Sequence, residues 1–332
     1  MLTKTSPVYF ITAASGTIGQ QLVPLLLSQP FRPTLVLPTS DASRLTSQLG
    51  TNTQNDRIKT VQGDIKDPVF VEAVAKSYNV TAVFICITGE DELFVTLNVL
   101  DALTRAHTVK HLVYLSGCGD YDLGSIRAGL LRTLNAGHIV VKAILEAKLR
   151  YGSSPRSELG GFSWTILGPT LFFTNDLHAK QNMLDNAFFD EPLGSRGVSR
   201  ADPQDIALAV SNALEDDGRR WGGKKVMIGS LKMYTNNEVA KLWTDALGFE
   251  VTAARSDAEE LEASEQRSRK HISAQWARDI RLMYEWFEVH GFGMTEKEYE
   301  DQILLLGKVP ASYEEFVKKT ADEWRVRELP RY

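Results

Sequence analysis

Short apolar runs alternate with amphipathic segments along the first half of the chain. The runs are rich in Val, Ile and Leu, as expected of strands buried on both faces. The candidate strands are residues 8–12, 34–37, 58–62, 82–87, 111–116 and 163–167. The segments between them repeat apolar residues at helical spacing. Strands and helices that alternate in this way predict an α/β fold with a doubly wound parallel sheet.

The second half of the chain changes to helical periodicity. Helices are predicted at 235–246, 257–270, 273–290, 296–306 and 312–325. We therefore expect a sheet core over residues 1–170 and a smaller, mainly helical part over 171–332. Elements at about 200–230 are expected to pack back on the core. Asp202-Pro203 supports a helix there, since it combines an N-cap residue with proline at the first helical position.

A turn of small residues joins the first strand to the first helix. Strand, Gly-rich turn and helix in this order bind the pyrophosphate of a dinucleotide, because the turn N–H groups and the helix N-terminus face the negative charge. The candidate contacts are Thr12, Ala13, Ser15, Gly16, Thr17, Ile18 and Gly19. The spacing puts Gly16 where backbone approaches phosphate, and Gly19 where helix and strand pack closely. The alternative is a tight turn without a ligand.

Ala13 occupies the position where such turns most often have their first glycine. Alanine tolerates positive φ poorly. The turn is therefore expected either to be slightly reshaped or not to need that conformation.

Charge and cysteine content narrow the classes of function. The net charge of −5 gives no basic surface for nucleic acid. No apolar run reaches membrane-spanning length and no signal peptide begins the chain, so a cytoplasmic protein without membrane partners is expected. Cys86 and Cys118 lie in or beside apolar runs, which favours two buried thiols over a disulfide. No metal site is expected.

Several stretches taken together resemble the NmrA-like family of atypical short-chain dehydrogenase/reductases. They are AASGTIG, VQGDIKDP, HLVYLSG, the Lys142-x-x-x-Glu146 helix, WTILGPTLFFTNDL, ADPQDIA and GGKKVMIGS. The resemblance covers nearly the whole chain. It implies a Rossmann domain that binds NADP(H), with a smaller C-terminal part closing a cleft. Some members of this family are reductases, and others are redox-sensing regulators that bind the cofactor without turnover.

The end of the second strand should decide between NAD and NADP. Thr39, Ser40 and Arg44 are candidates to hold the 2′-phosphate of NADP. Asp41 opposes a phosphate unless it caps the next helix, and the family's usual arginine directly after this strand is missing. We favour NADP(H) over NAD(H). Asp64 matches the family's Gly-Asp and is expected either at the adenine or in a turn. The remaining expected cofactor contacts are Thr88, Lys142 and Pro169.

Carbonyl reduction in the wider superfamily uses Tyr-x-x-x-Lys on one helix, which places both side chains on one face. This chain has His138-x-x-x-Lys142 instead. Lys142 is expected to hold the nicotinamide ribose, or else to lie on a solvated surface. His138 and Tyr121 are rival proton donors, although a lone histidine is often structural. Ser116 matches the serine with which the family ends its fifth strand.

Three residues after the sixth strand complete the candidate site. Phe172 and Phe173 offer flat apolar contact and Asn175 a polar one, although core packing explains one phenylalanine equally well. Together these residues predict an NADP(H)-dependent oxidoreductase that transfers hydride to a hydrophobic or aromatic carbonyl, enone or quinone. One alternative is a non-catalytic redox sensor with a regulatory protein partner, and another is an isomerase or cyclase on the same fold. A homodimer is left open.

Overall fold

The computed structural model of the chain describes residues 6–87, 89–152 and 161–328. Strands and helices alternate up to the fifth strand. They are β1 (Val8–Ile11), α1 (Thr17–Ser28), β2 (Thr34–Thr39), α2 (Ala42–Leu49), β3 (Ile58–Gln62), α3 (Pro68–Ser77), β4 (Ala82–Ile85), α4 (Glu92–Ala106) and β5 (His111–Leu115).

After β5, helices and strands no longer alternate strictly, and beyond β12 the elements are helices. They are α5 (Leu123–Arg127), α6 (Leu130–Thr133), α7 (Gly137–Gly152), β6 (Ser163–Pro169), β7 (Leu171–Phe172), α8 (Lys180–Asn186), β8 (Phe188–Phe189), β9 (Val198–Ala201), α9 (Pro203–Asp216), β10 (Lys224–Ile228), β11 (Met233–Tyr234), α10 (Asn236–Leu247), β12 (Thr252–Ala253), α11 (Ala258–Ser268), α12 (Ala274–His290), α13 (Glu296–Leu306) and α14 (Tyr313–Glu328). Two 3₁₀ helices span Gly50–Gln54 and Phe173–Ala179.

The chain forms two compact units that interleave along the sequence. The first takes Met1–Gly117, Val141–Gly168 and Pro203–Val226. The second takes Cys118–Val140, Pro169–Asp202 and Met227–Tyr332.

The first unit is built on a seven-stranded sheet with the order β10-β6-β5-β4-β1-β2-β3. The pairs β1–β2, β2–β3, β1–β4, β4–β5 and β5–β6 are parallel. The predicted doubly wound parallel sheet is therefore confirmed. Because the chain moves outward from β1 in one direction and from β4 in the other, the switch point where such sheets bind ligands lies between these two strands.

Burial explains why the first unit's apolar runs became strands. Every residue of β4 and β5 is buried, as required of strands covered by helices on both faces. On one face α9 lies beside α1, where the Gln29 side-chain amide donates to the Ser211 hydroxyl at 2.9 Å. Pro203 opens α9, and Ile206, Val210 and Leu214 form its buried stripe. Pro24 is accommodated within α1.

The second unit is mainly helical, with small sheets of order β11-β9-β7 and β12-β8. Helices α10 to α14 agree with the predicted ones to within three residues at either end. The threonine–glutamate capping boxes Thr235/Glu238 and Thr295/Glu298 fix where α10 and α13 begin. The helices enclose a core of their own around Phe173, Trp243 and Tyr313.

Neither cysteine forms a disulfide; Cys118 is buried and Cys86 is half-buried. Within the described ranges, no helix is both long enough and apolar enough to cross a bilayer.

Candidate functional site

The Thr12 side chain forms hydrogen bonds that join the ends of β1 and β4, the strands on either side of the switch point. Its hydroxyl accepts a hydrogen bond from the Cys86 N–H at 2.7 Å and donates to the Cys86 carbonyl at 3.3 Å. Its own N–H donates to the Phe84 carbonyl at 3.1 Å. Since Thr12 is 1% exposed, its side chain positions the turn rather than presenting a surface to a ligand.

The turn takes the backbone conformation that alanine tolerates poorly. Ala13 has a φ of 51°, and the Gly16 N–H donates to the Ala13 carbonyl at 2.9 Å to close the turn. The expectation that the turn does without positive φ at Ala13 is wrong. A left-handed conformation costs a residue with a Cβ about 1–2 kcal/mol, so the turn keeps its shape at a local cost.

The structure requires glycine at one of the two glycine positions of the turn but not at the other. A Cβ on Gly19 would lie 2.3 Å from the Ala13 carbonyl oxygen and 2.5 Å from that of Ala14. Glycine is therefore required at position 19 for the helix to pack on the turn, as the spacing predicted. A Cβ on Gly16 would meet only Ala13, at 3.2 Å from its carbonyl oxygen, and the Gly16 φ of −82° suits any residue. Packing and backbone geometry alone thus leave Gly16 nearly unconstrained.

The N-terminus of α1 is open to an anion. Gly16 is its N-cap and supplies no side-chain hydrogen bond, whereas Asp41 caps α2 and Asp67 caps α3. The first N–H groups of a helix have no acceptor within the helix, and they carry its positive dipole end. Ser15, Gly16 and Thr17 are at least partly exposed. An uncapped helix start at the switch point fits the pyrophosphate of a dinucleotide.

Asp41, at the end of β2, is the cap of α2, which was one of the two outcomes expected for it. Its carboxylate accepts from the Arg44 N–H at 2.9 Å. The Thr39 hydroxyl donates to the Asp41 carbonyl at 2.9 Å. Ser40 and the Arg44 side chain are exposed. The Asp41 carboxylate is thus bonded to the start of α2, while the Ser40 hydroxyl and the Arg44 guanidinium face solvent.

Asp64 forms the turn after β3. Its carboxylate accepts from the Lys66 N–H at 2.9 Å, and its side chain is exposed. The turn alternative accounts for this contact. Thr88 lies outside the described residues.

Lys142 is buried in an ion pair. It is 7% exposed, and its ammonium donates to the carboxylate of Glu92, the first residue of α4. The same Glu92 oxygen accepts from the Tyr114 hydroxyl at 2.9 Å. The ammonium also lies 3.5 Å from the Leu115 carbonyl oxygen. The surface alternative for Lys142 is therefore wrong, because the side chain lies at the carboxyl end of β5.

Burial and the nearby Glu92 carboxylate raise the pKa of Tyr114 well above its ordinary value. Burial also raises the pKa of the Cys86 thiol to about 11. Both groups are therefore neutral at physiological pH.

Ser116 belongs to a second buried network, which is centred on Glu146, one turn beyond Lys142 on α7. Its hydroxyl donates to Glu146 at 2.6 Å, and the Lys225 ammonium donates to the same carboxylate oxygen at 2.5 Å. Arg150 donates to the second oxygen at 3.2 Å. Glu146 is fully buried, and two cations accompany its single negative charge. Because the Ser116 hydroxyl donates its proton to Glu146, its oxygen can only accept a further hydrogen bond.

In the second unit, His138 is paired with an aspartate. Its Nδ1 bonds to the Asp279 carboxylate, which also accepts from the Gly137 N–H at the start of α7. The Trp276 ring lies 5.3 Å from the imidazole, centroid to centroid. Burial alone would raise the pKa of Asp279, but the hydrogen bond and charge of His138 lower it below its ordinary value. The pair fixes one ring nitrogen and leaves Nε2 as the donor or acceptor that could reach a ligand.

The other candidates in the second unit are placed as follows. The Tyr121 hydroxyl donates to the Cys118 carbonyl at 2.6 Å, and the Pro169 carbonyl accepts from the Cys118 N–H at 2.9 Å. Phe173 is buried in the core, with its ring 5.2 Å from that of Tyr313, so packing accounts for this phenylalanine. Phe172 and Asn175 are half-buried.

Sequence reasoning missed Glu92 and Asp279 as site residues. Glu92 could have been found, because it lies on the apolar stripe of α4 formed by Val95, Val99 and Leu103, where a charge needs a partner. Asp279 lies on the polar side of its helix and meets His138 across 141 positions of sequence. No local signal reports such a contact.

A parallel sheet whose switch point holds a tight Gly-containing turn and an uncapped helix defines the dinucleotide-binding Rossmann class. This chain belongs to the NAD(P)H-binding family, whose sequence profile matches residues 13–217. The resemblance drawn from the motifs is thereby confirmed at the level of family and fold. No curated protein matches the sequence significantly.

Solved structures with the same fold include enzymes and a regulator. Triphenylmethane reductase from Citrobacter sp. superposes with a TM-score of 0.73 at 16% identity, covering 95% of this chain and 99% of that one. An NADPH-dependent quinone oxidoreductase from Escherichia coli gives 0.71 at 17%, covering 94% and 99%. NmrA, a negative transcriptional regulator in complex with NADP, gives 0.68 at 12%, covering 96% and 97%. At these identities the likeness concerns the fold.

Proposed function

We propose that this chain is an NADPH-dependent reductase that delivers hydride to a hydrophobic or aromatic carbonyl, enone or quinone. The observation that carries the proposal lies within the first unit. The open α1 N-terminus and the Lys142 ammonium are both held at the carboxyl edge of one parallel sheet, through Thr12–Cys86 and Leu115. The solved structures with this fold include an NADPH-dependent quinone oxidoreductase and a reductase of triphenylmethane dyes, which supports a reductase.

The turn residues would hold the pyrophosphate, and Lys142 would hold the nicotinamide ribose. An ammonium has three donors, and Glu92 and the Leu115 carbonyl engage two of them. The third is available to a ribose hydroxyl. NADPH, when bound, supplies the hydride. Protein groups supply orientation and the proton, for which His138 is the better donor because its Nδ1 is fixed by Asp279 while the Tyr121 hydroxyl is used by a backbone carbonyl.

NADP(H) is proposed over NAD(H) from the end of β2. A 2′-phosphate would meet the exposed Arg44 guanidinium and the Ser40 hydroxyl, with Thr39 bracing the loop. The Asp41 carboxylate accepts the Arg44 N–H and so sits at the start of α2, which removes the main objection to a phosphate there.

Consumption of NADPH with a panel of quinones and aromatic ketones tests the proposal. We expect turnover with at least one quinone or aromatic ketone, and a loss of about a hundredfold in kcat/KM for Lys142→Ala, since a charge-assisted hydrogen bond contributes about 1.5–3 kcal/mol. Lys148→Ala is the matched control, because this lysine is exposed on the same helix. Full activity of Lys142→Ala would refute the assignment of the ribose contact.

A redox sensor is the second candidate, and the buried networks favour it. The Lys142 ammonium and the Ser116 hydroxyl are both engaged by buried glutamates, and position 138 lacks the tyrosine of ordinary ketoreductases. A sensor would bind NADP⁺ and NADPH with different affinities, turn over no substrate and act through a regulatory protein partner. Equal affinities together with turnover would exclude it.

A further inference from the structure

The charge of Lys142 is compensated locally by a single carboxylate. Around the ammonium, the described titratable neighbours are Glu92, Tyr114 and Cys86. Tyr114 and Cys86 are neutral at physiological pH because burial raises the pKa of each. Glu92 is 1% exposed, and its carboxylate touches both Lys142 and Tyr114. The Lys142–Glu92 ion pair therefore gives the cluster no net charge.

The second buried network supplies no negative charge to Lys142. Glu146, on the next turn of α7, is a single carboxylate paired with two cations, Lys225 and Arg150. Removing Glu92 would therefore leave the positive charge of Lys142 without a carboxylate partner.

The two redox states of a nicotinamide differ by one unit of charge. The ring is a cation when oxidised and neutral when reduced. A fixed positive charge near the ring therefore weakens binding of the oxidised form and leaves the reduced form almost unaffected. The effect is strongest where water is excluded, as it is around a buried ion pair.

We propose that Glu92 sets the relative affinity of the site for NADP⁺ and NADPH. Its carboxylate cancels the Lys142 charge, so that the two redox states bind with comparable dissociation constants. The proposal rests on the proposed function, since it requires Lys142 to lie beside the nicotinamide ribose. Glu92 is a specificity residue that acts through Lys142 and makes no contact with the substrate. The exchange of hydride at the bound cofactor is thereby kept close to its balance in solution.

Glu92→Gln removes the charge while retaining an oxygen that accepts from Tyr114 and Lys142. Dissociation constants for NADP⁺ and NADPH are measured by calorimetry. We expect the ratio of the NADP⁺ constant to the NADPH constant to rise on the order of tenfold. For a two-electron couple this is a shift of about 30 mV in the bound cofactor. Glu72→Gln is the matched control, because Glu72 pairs with Lys76 and Arg105 at the surface of the same unit.

Lys142→Met gives an independent test should Glu92→Gln not fold. It leaves the Glu92 carboxylate without its cation, so the ratio of the NADP⁺ constant to the NADPH constant should fall instead, in favour of NADP⁺. Equal weakening of both cofactors in Glu92→Gln, or an unchanged ratio in either variant, overturns the proposal.

If Lys142→Met weakens both cofactors while neither variant changes the ratio, Lys142 holds the ribose and only the role of Glu92 is refuted. If Lys142→Met leaves both affinities at the wild-type value, the placement of Lys142 in the proposed function is refuted.

Discussion

Gly16→Asp should separate cofactor binding from folding. Gly16 is the N-cap of α1 with a φ of −82° and a ψ of 174°, a conformation that suits aspartate. A Cβ there would need only a small adjustment at the Ala13 carbonyl, 3.2 Å away. Aspartate is a better N-cap than glycine by a few tenths of a kcal/mol. We therefore expect the free energy of unfolding to stay within about 0.5 kcal/mol of wild type, or to rise.

The same carboxylate would occupy the place proposed for the pyrophosphate. The lost interaction with the helix N-terminus amounts to about 1 kcal/mol, and repulsion between like charges adds about 2 kcal/mol at an intermediate dielectric constant. NADPH affinity should fall about a hundredfold, since about 1.4 kcal/mol corresponds to a factor of ten. Urea denaturation measures stability, and titration of NADPH fluorescence measures affinity.

Two control variants isolate the cause. Gly16→Asn caps the helix without a charge and should lose less affinity than Gly16→Asp. Gly19→Ala should lose both stability and binding, because its Cβ would lie 2.3 Å from the Ala13 carbonyl oxygen. A folded Gly16→Asp that binds NADPH within about threefold of wild type would refute the placement of the phosphates.

Three further predictions concern charged side chains. Arg44→Glu should weaken NADPH binding at least about tenfold while leaving NADH binding unchanged. Competitive titration measures both affinities. Equal losses of NADPH and NADH affinity would contradict the 2′-phosphate assignment. Asp279→Asn should cost about 1–2 kcal/mol at neutral pH. Because the folded pKa of Asp279 is lowered by His138, that stabilisation is lost as pH falls below about 4, so urea denaturation at several pH values should show the variant and wild type converging in acid. Burial raises the pKa of Glu191 to about 8, so the free energy of unfolding of the wild type falls as pH rises from about 4 to 8. Glu191→Gln should therefore be the more stable protein at pH 8. A variant whose free energy of unfolding changes with pH as that of the wild type does would contradict this.

The strands and most helices could be predicted because their causes are local. Uninterrupted apolar runs such as 82–87 have no alternative to burial on both faces, and Asp202-Pro203 specifies a helix start through two neighbouring residues. Parallel pairing of these strands then follows from the helical crossovers.

The site was predictable only where its geometry is local. The turn and its two glycines follow from spacing, but the positive φ of Ala13 was missed, because residue preference argued against it and closure of the turn prevailed. Lys142 and Glu92 are 50 positions apart, so their pairing depends on where α7 lies beside α4. A single sequence carries no record of that distance.

The strained alanine has a consequence for the laboratory evolution of this protein. Alanine and glycine codons differ at their second base only, so a relaxed form of the turn is one nucleotide substitution away. Glycine at position 13 would remove a penalty of about 1–2 kcal/mol while adding about 0.4–1 kcal/mol of chain freedom in the unfolded state. Error-prone amplification followed by selection at high temperature should therefore enrich Ala13→Gly. A single base change in the cofactor turn would thus raise the thermal stability of the protein.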